Sequence, residues 1–496
     1  MSSAIAAESF GVTSQQPAVS DRMRGAAPRR WSRKVAADII AIAECLAVVA
    51  GCLLPAFIYA RAGGVPVKWL AIMQVGLMAA IIVHICLTGW RMYDTARMDS
   101  FPQRPSRLLL AMILACVALL GLGVPVPVSQ PHILVWYTTW IMLTFTLMLF
   151  VRMVAQSVFA RLSAAGRFDE RVAVYGAGTV ARRVRDHLVQ ARAGIQFVGA
   201  FDDHAIDTKR VNLEGLDLAG RLDDLVALAR ADGVDRIIVA LPAIASSRIE
   251  MVARELEKLP VSLHVVTHIA SNLINAGPAH KVRSLGPIGL MDVKAKPLAD
   301  WAPIVKRAED VLLGALCLLV TLPLFALIML AIKLDSRGPV FFVQRRRGLN
   351  QQIIPVLKFL TMRVLEDGAQ IQQATRDDPR VTRVGRLLRR SSLDELPQLI
   401  NVLKGEMSLV GPRPHAIAHD EHYGEVLQSY AGRQQVKPGI TGLAQVRGFR
   451  GETQTDDLMQ GRVDNDLAYI KAWSPWLDLK ILVRTVFAVV RGCNAH

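Results

Sequence analysis

The chain has 496 residues, of which 52% are hydrophobic, and its formal net charge is +16. This apolar content argues against an ordinary soluble protein and predicts membrane segments joined to soluble domains. The basic charge suits anionic lipids or phosphorylated substrates. Nucleic acid is not expected, because the sequence has no zinc-finger spacing, basic zipper or RNA-binding aromatic motif. Residues 1–34 are predicted to be a disordered, arginine-dotted tail rather than a signal peptide.

Four long apolar runs follow the tail, at 37–60, 69–90, 107–128 and 132–151. Each approaches the ~20 residues that a helix needs to cross a bilayer, so we predict four transmembrane helices over 35–152. Arginine and lysine concentrate in the tail, in the second connection and after the fourth run, whereas the third connection has neither. The positive-inside rule then places both ends of this bundle in the cytosol.

Residues 170–296 alternate short apolar strands with helical patterns, which predicts a Rossmann-like α/β domain. The first strand leads into Gly176-Ala177-Gly178, and Asp202 follows the second strand. Glycines at such a turn and an acid at the next strand end are typical of a nucleotide site. The alternative is a scaffold in which the glycines only make the turn. No Tyr-x-x-x-Lys pair follows to support redox or epimerase chemistry.

A fifth apolar run covers 311–332 and carries Pro323 in its middle. Lysine and arginine flank both of its ends, so both ends prefer the same side of the membrane, and proline interrupts helical hydrogen bonding. We therefore predict a re-entrant membrane helix over 303–335. The alternative is a kinked fifth span, which would place the remaining chain outside the cell.

The last region, 336–496, gathers many cations around few acids. Arginine and lysine side chains of this kind bind phosphate oxygens, and the candidates are Lys358, Arg363, Arg389 and Arg413. One carboxylate of the adjacent pair Asp394 and Glu395 could hold Mg²⁺ on a diphosphate and the other could attack phosphorus. The alternative is that Ser392-Leu393-Asp394-Glu395 is a capping box at a helix start. The residues alone leave both interpretations open.

The stretch from Lys306 to Arg491 resembles the bacterial sugar transferases, which are polyprenyl-phosphate hexose-1-phosphate transferases. The four spans and the α/β domain ahead of it resemble the long form of that family. Several ordered motifs carry the resemblance: Lys306-Arg307 with Asp310, Gly338-Pro-Val-Phe-Phe342, Lys358-Phe359, Asp378 to Arg386, Ser392-Leu-Asp-Glu-Leu-Pro-Gln398, Gly411-Pro-Arg-Pro414, Lys437 to Gln445, and Trp473-Ser474.

The resemblance implies a reaction. Asp394 would attack the β-phosphate of a UDP-sugar, UMP would leave, and polyprenyl phosphate would take the sugar phosphate from the enzyme. Glu395 would be the Mg²⁺ ligand, and glucose or galactose is the expected hexose. The resemblance also implies a place in the bacterial inner membrane with cytosolic soluble domains, a role in starting exopolysaccharide or related glycans, and a homo-oligomer or downstream glycosyltransferases as partners.

The chain departs from the family pattern at a few positions. Leu360 replaces an arginine that usually follows Lys-Phe, which predicts that one cationic contact near the site is missing or is supplied by Arg363. Leu322 replaces the serine that usually precedes the helix-breaking proline, here Pro323. Two rival functions remain: an oxidoreductase or epimerase that uses the 176–181 loop, and an inactive scaffold, for which Leu360 is the one hint. The closing segment, 475–491, is predicted to be an interfacial helix, with a soluble-core helix as the alternative.

Overall fold

The protein is described by a computed structural model, which covers residues 31–63, 68–94, 104–122, 133–190, 194–207, 216, 218–242, 246–266, 282–285, 288–336, 338–363, 378–449 and 455–490. Most of the predicted tail therefore lies outside the described residues.

Four helices pack together at the N-terminal end, at Arg33–Gly63 (α1), Trp69–Gly89 (α2), Pro105–Gly121 (α3) and Ile133–Ala164 (α4). Their length and apolar composition allow α1, α2 and α4 to cross a membrane. The third helix has 17 residues, or about 26 Å at 1.5 Å per residue. Buried aliphatic and aromatic side chains from all four helices form one core. The predicted bundle is therefore present, although α4 runs twelve residues beyond the predicted end at 152.

A buried ion pair joins the first and last helices of this bundle. Arg152 of α4 donates from Nε to Glu44 Oε1 of α1 at 2.5 Å and from Nη2 to Glu44 Oε2 at 3.2 Å. The Tyr93 hydroxyl, just after α2, donates to Glu44 Oε2 at 2.6 Å. Glu44 is 0% and Arg152 1% exposed. Arg152 follows the fourth apolar run in the sequence, yet it is buried in the bundle because it pairs with Glu44, which lies 108 residues earlier in the chain.

We expect Arg152→Met to destabilise the bundle, because it leaves the Glu44 carboxylate buried without its cation. The free energy of unfolding should fall by ~3–5 kcal/mol, and the double variant Glu44→Gln/Arg152→Met should recover much of that loss. Unfolding of the detergent-solubilised protein, followed by tryptophan fluorescence, measures both. The pair would not hold the bundle together if Arg152→Met unfolded like the wild type.

The second region is an α/β domain with one seven-stranded sheet. Its elements in chain order are β1 (Glu170–Tyr175), α5 (Thr179–Gln190), β2 (Ile195–Phe201), α6 (Asp203–Asp207), β3 (Leu218–Gly220), α7 (Leu222–Arg230), β4 (Arg236–Val239), α8 (Ser246–Glu257), β5 (Ser262–Val266), β6 (Val282–Leu285) and β7 (Ile288–Lys294).

The sheet is mainly parallel. Strands β3-β2-β1-β4-β5 are parallel neighbours, and β7 and then β6 extend the sheet as antiparallel strands. Buried valine, isoleucine, leucine and alanine fill both sides of the sheet, as expected when helices cover a parallel sheet.

The third region starts with a helix of 34 residues, α9 (Ala302–Asp335), which contains Pro323. A β-hairpin, short helices and a two-stranded parallel sheet follow it. They are β8 (Phe341–Arg347), β9 (Ile353–Phe359), α10 (Arg383–Ser391), α11 (Gln398–Lys404), β10 (Ser408–Val410), α12 (Ile417–Val426), β11 (Gly439–Thr441), α13 (Leu443–Val446), α14 (Asp456–Ala472) and α15 (Pro475–Val490), with 3-10 turns at Leu349–Gln351, Leu393–Glu395 and Tyr430–Gln435.

Both halves of α9 pack against this same third region. In the first half, Asp310 Oδ1 accepts from the Leu409 backbone N–H at 2.9 Å, and Lys306 donates to Asp478 of α15 at 2.5 Å. In the second half, Asp335 Oδ2 accepts from the Val384 N–H of α10 at 2.9 Å. The opposite side of α9 exposes a row of large apolar side chains: Leu312, Leu316, Leu319, Val320, Leu327, Leu330 and Leu334.

The closing helix α15 also exposes an apolar side, formed by Trp476, Leu479, Val483, Val486 and Phe487. Its other side packs Leu477, Ile481 and Leu482 into the core of the third region. Asp478 is completely buried and accepts hydrogen bonds from Lys306, Tyr469 and Trp473. One side of α15 therefore packs in the core of the third region, and the other side leaves a strip of apolar side chains exposed.

Candidate active site

The acids Asp394 and Glu395 lie in a 3-10 turn between two short helices, α10 and α11. Ser392 ends α10 in the left-handed conformation, with φ of 56°. Its side chain makes no capping hydrogen bond to the turn. The capping-box interpretation of Ser392 and Glu395 is therefore wrong, because the Glu395 carboxylate turns away from the backbone of Ser392 and binds two cations.

Glu395 is bound by side chains from two other elements. Arg413, which follows β10, donates from Nη1 to Oε2 at 2.9 Å and from Nη2 to Oε1 at 2.5 Å. Lys358, near the end of β9, donates to Oε1 at 3.2 Å. A forked arginine and a lysine on one largely buried carboxylate make a strong charge-assisted cluster. The structure thus brings together three of the predicted site residues.

Asp394 is half-buried beside this cluster. Lys358 and Arg413 donate their hydrogen bonds to Glu395 rather than to Asp394. Burial raises the pKa of Asp394 to about 6, and the adjacent Glu395 charge adds to the rise against the lowering effect of Lys358 and Arg413. Burial would also raise the pKa of Glu395, but the charges of Arg413 and Lys358 outweigh it and hold that pKa far below its usual range. Two adjacent carboxyls with separated pKa values are suited to different roles.

The two remaining predicted phosphate ligands are Arg389 and Arg363, and only Arg389 lies near the acid pair. Arg389 of α10 donates to the Met362 sulfur at 3.6 Å, and its charge lowers the pKa of Asp394. Arg363 is exposed, and its backbone N–H donates to the Arg380 carbonyl at 2.9 Å. The structure therefore places Arg389 near the pair, and it records no contact from the described Arg363 side chain to either acid.

Leu360 is 4% exposed and packs under the second half of α9 with Phe325, Ile328 and Ile332. The Leu360 side chain therefore lies in an apolar cluster that suits a leucine. Whether the site has one cationic contact fewer than the family pattern stays a prediction.

Sequence reasoning missed a second buried polar cluster behind Arg413. It is built from Arg346 of β8, His415, Tyr430 and Arg433 of one 3-10 turn, and Asp466 of α14. Burial and the surrounding arginines hold the pKa of His415 well below its usual range, so the imidazole is neutral. Spacing along one helix or strand could not predict this cluster, because apart from Tyr430 and Arg433 its members come from distant parts of the chain.

In the α/β domain, the glycine turn after β1 lies beside the end of β2. Gly176 has φ of 125°, and a Cβ there would lie 2.6 Å from the Ala240 carbonyl oxygen, so only glycine fits. The Asp202 carboxylate accepts from the Ala177 N–H at 3.0 Å and from Arg248 at 2.6 Å. Gly178 has open space around it. The predicted trio is thus assembled, with Arg248 of α8 on its acid; a ligand there stays a prediction.

Mg²⁺ is suited to the oxygen donors of the acid pair. It is usually bound in proteins by one or two carboxylates, with phosphate oxygens and waters completing the shell. Glu395 already accepts from Arg413 and Lys358, yet a carboxylate has about four lone-pair positions. No group of three or more potential ligands from His, Cys, Asp and Glu occurs in the described part of the chain. The donor set therefore fits an ion that relies on substrate phosphates for its other ligands.

Comparison with known families matches two segments of the chain. Residues 301–492 match the bacterial sugar transferase family, and residues 90–267 match a CoA-binding domain family. The first segment contains α9, the acid pair and both of its cationic partners. The match therefore places the acid pair and its two cations in a bacterial sugar transferase domain.

Relatives extend the similarity over most of the chain. The undecaprenyl-phosphate glucose phosphotransferase of Komagataeibacter xylinus is 37% identical over 77% of this chain and 70% of its own length. The UDP-glucose:undecaprenyl-phosphate glucose-1-phosphate transferase of Xanthomonas campestris pv. campestris is 35% identical over 73% and 75%. The protein of that name from Escherichia coli K12 is 43% identical over 55% of this chain, and the match spans 58% of that relative. The chain belongs to the bacterial sugar transferase family.

Proposed function

We propose that the protein transfers a hexose-1-phosphate from a UDP-hexose to polyprenyl phosphate and releases UMP. Glucose is the first choice of hexose, with galactose as the second, because the relatives described above are named for glucose transfer. The observation that carries the proposal is the geometry of the acid pair: Arg413 and Lys358 bind Glu395 beside the half-buried Asp394, within the segment that matches the bacterial sugar transferase family. The product would be the lipid-linked first sugar of an exopolysaccharide or related glycan, which downstream glycosyltransferases would extend.

The proposed chemistry has two displacements at one phosphorus. A carboxylate oxygen of Asp394 forms a bond to the β-phosphorus, the bond to the oxygen bridging the two phosphates breaks, and UMP leaves with that electron pair. A phosphate oxygen of the polyprenyl phosphate then attacks the same phosphorus and releases the Asp394 carboxylate. Nucleophilic catalysis of this kind replaces one difficult step by two easier ones.

The cations around the pair would stabilise charge on the diphosphate. Lys358 and Arg413 bind Glu395, and their charges together with that of Arg389 lower the pKa of Asp394, so all three cations lie close to the acid pair. Preorganised cations lower the energy of developing negative charge on a leaving phosphate. Mg²⁺ held by Glu395 would add Lewis-acid neutralisation of the diphosphate oxygens.

The packing of α9 supports a re-entrant insertion. A straight helix of 34 residues is about 51 Å long, more than the ~30 Å core of a bilayer. Because Asp310 and Asp335 both bond to the one region that contains the acid pair, a crossing helix would require that region on both sides of the membrane. We infer that α9 enters and leaves one leaflet of the inner membrane, with its exposed leucines in lipid and the site on the cytosolic side.

One assay tests the proposal. Purified protein in detergent or nanodiscs is incubated with MgCl₂, undecaprenyl phosphate and UDP-glucose or UDP-galactose, and released UMP and lipid-linked sugar are measured. We expect both products in equal amounts for one sugar nucleotide. Release of UDP instead of UMP would refute the proposal. Sugar oxidation or epimerisation without UMP would also refute it and would favour a site in the 176–181 loop.

The raised pKa of Asp394 predicts an acid limit on the first half-reaction. Below pH about 6 the carboxyl is protonated and cannot attack, whereas an ordinary aspartate would remain ionised to about pH 4. We expect single-turnover UMP release, without polyprenyl phosphate, to fall tenfold per pH unit below about 6. Leaving out the lipid removes its own phosphate titration from the profile. A rate that stays level down to about pH 4.5 would contradict this assignment.

A further inference from the structure

Arg413 reaches Glu395 from a loop that has little hydrogen bonding of its own. The loop contains Pro412-Arg413-Pro414, in which the two prolines lack an N–H and the residue before each proline is held extended. Its shape therefore depends on donors to its carbonyl oxygens. Pro412 accepts from the Gly439 N–H at 2.9 Å. The next two carbonyls are held by arginine side chains from other elements.

Arg433 is the donor to the carbonyl of Arg413 itself. Its Nη2 lies 2.7 Å from that oxygen, while Arg346 donates to the following carbonyl, that of Pro414, at 3.2 Å. Arg433 comes from the 3-10 turn Tyr430–Gln435, and β11 follows that turn. Three successive carbonyls, each held by a different element, fix the loop from outside.

Arg433 is almost completely buried, and protein groups engage its guanidinium. It is 3% exposed, and its Nε and Nη2 donate to Asp466 Oδ2 of α14 at 3.1 and 2.8 Å. Its Nη1 lies 3.2 Å from the Tyr430 hydroxyl. Asp466 is 2% exposed. A buried arginine that is fully engaged by protein groups acts on the site only through what it holds.

We propose that Arg433, anchored by Asp466, is a positioning residue that sets where the Arg413 guanidinium meets Glu395 and the diphosphate. The inference rests on the proposed function, because it assigns Arg413 a role toward the UDP-hexose. The planar fork is essential to this role, since Asp466 and the Arg413 carbonyl are bonded at the same time. A lysine in its place keeps the charge opposite Asp466 but cannot hold both groups in that geometry.

The test compares Arg433→Lys with a matched control, Arg307→Lys. Arg307 also forks onto two backbone carbonyls of the same region, those of Val402 and Leu403, each at 2.6 Å. Both changes should lower thermal stability. We expect only Arg433→Lys to lower kcat/KM for the UDP-hexose, by about 30- to 100-fold, because a 1 Å misplacement costs about that much. The kcat/KM for polyprenyl phosphate should not change, because in a two-displacement mechanism it depends only on the second step.

A double-variant cycle separates positioning from a general structural role. In an Arg413→Ala background the loop has no guanidinium to place, so adding Arg433→Lys should change kcat/KM by less than about threefold. Independent, multiplying effects of the two changes would overturn the proposal, as would a wild-type kcat/KM in Arg433→Lys alone.

A binding readout keeps this test separate from the assay for UMP. The rise in melting temperature caused by UDP-glucose is measured for the wild type and for Arg433→Lys, and it should shrink in the variant. If the wild type released no UMP, the proposed reaction would fail, yet the binding shift would still report on Arg413. If the variant showed the full shift, the positioning role would fail while the reaction stood.

Discussion

Asp394→Asn is expected to abolish release of UMP, with a loss of at least ~1,000-fold, because the substitution removes the attacking oxygen's charge and leaves the shape intact. Asn is neutral and the position is half-buried beside the ionised Glu395, so the fold should be unaffected or slightly more stable. The measurement is single-turnover UMP release at pH 7.5 with saturating Mg²⁺. Asp464→Asn, the same change at an exposed position of α14, serves as the control.

The proposed covalent step gives this variant a second readout. Wild-type protein incubated with UDP-hexose alone should gain the mass of one hexose phosphate, and addition of polyprenyl phosphate should remove it. Asp394→Asn should show neither change. Labelling of the variant at the wild-type level would transfer the nucleophile's role to another residue and refute the assignment.

Glu395→Gln is expected to reduce UMP release by ~100-fold or more, the range seen when one preorganised electrostatic group is removed. The change leaves Lys358 and Arg413 without their counter-ion and weakens the proposed Mg²⁺ position, so more Mg²⁺ should be needed for half-maximal rate. It also removes the negative charge beside Asp394, which helps to raise that residue's pKa. The acid limb of the rate should therefore move below pH about 6.

The variant is informative because its maximal rate should fall while its activity extends to lower pH than that of the wild type. A purely structural defect would lower the rate without moving the acid limb or the Mg²⁺ requirement. Glu425→Gln, at an exposed position near the end of α12, is the matched control and should behave like the wild type. A Glu395→Gln enzyme with an unchanged pH profile would mean that Glu395 does not influence Asp394.

The architecture was largely predictable from the sequence because periodicity and length carry it. The strand predicted to lead into Gly176 is β1, which ends at Tyr175, and the apolar runs correspond to α1, α2, α3 and α4. Element ends were less predictable. The capping-box alternative put the acid pair at a helix start, whereas the pair lies in a 3-10 turn and α11 begins at Gln398.

The candidate site was predictable only where motifs mark it. Asp394, Glu395, Lys358 and Arg413 were predicted together, and the structure joins the last three by hydrogen bonds. The Arg433–Asp466 pair and the Glu44–Arg152 pair were not predicted, because single-sequence patterns report on neighbours along a helix or strand. Their members are separated by 33 and 108 residues. Leu360 illustrates a different limit. The sequence showed that this residue departs from the family motif, but it did not show where the side chain packs.

The anchoring of α9 at both ends affects how the site is positioned in bilayers of different thickness. Asp335 is tied to Val384 at the start of α10, and α10 ends at Ser391, three residues before Asp394. The depth of Asp394, the proposed nucleophile, relative to the lipid phosphates would therefore be set inside the protein, by a helix and a turn. A thinner or thicker membrane would have to deform around α9, while the distance from Asp394 to the lipid head groups stayed nearly constant.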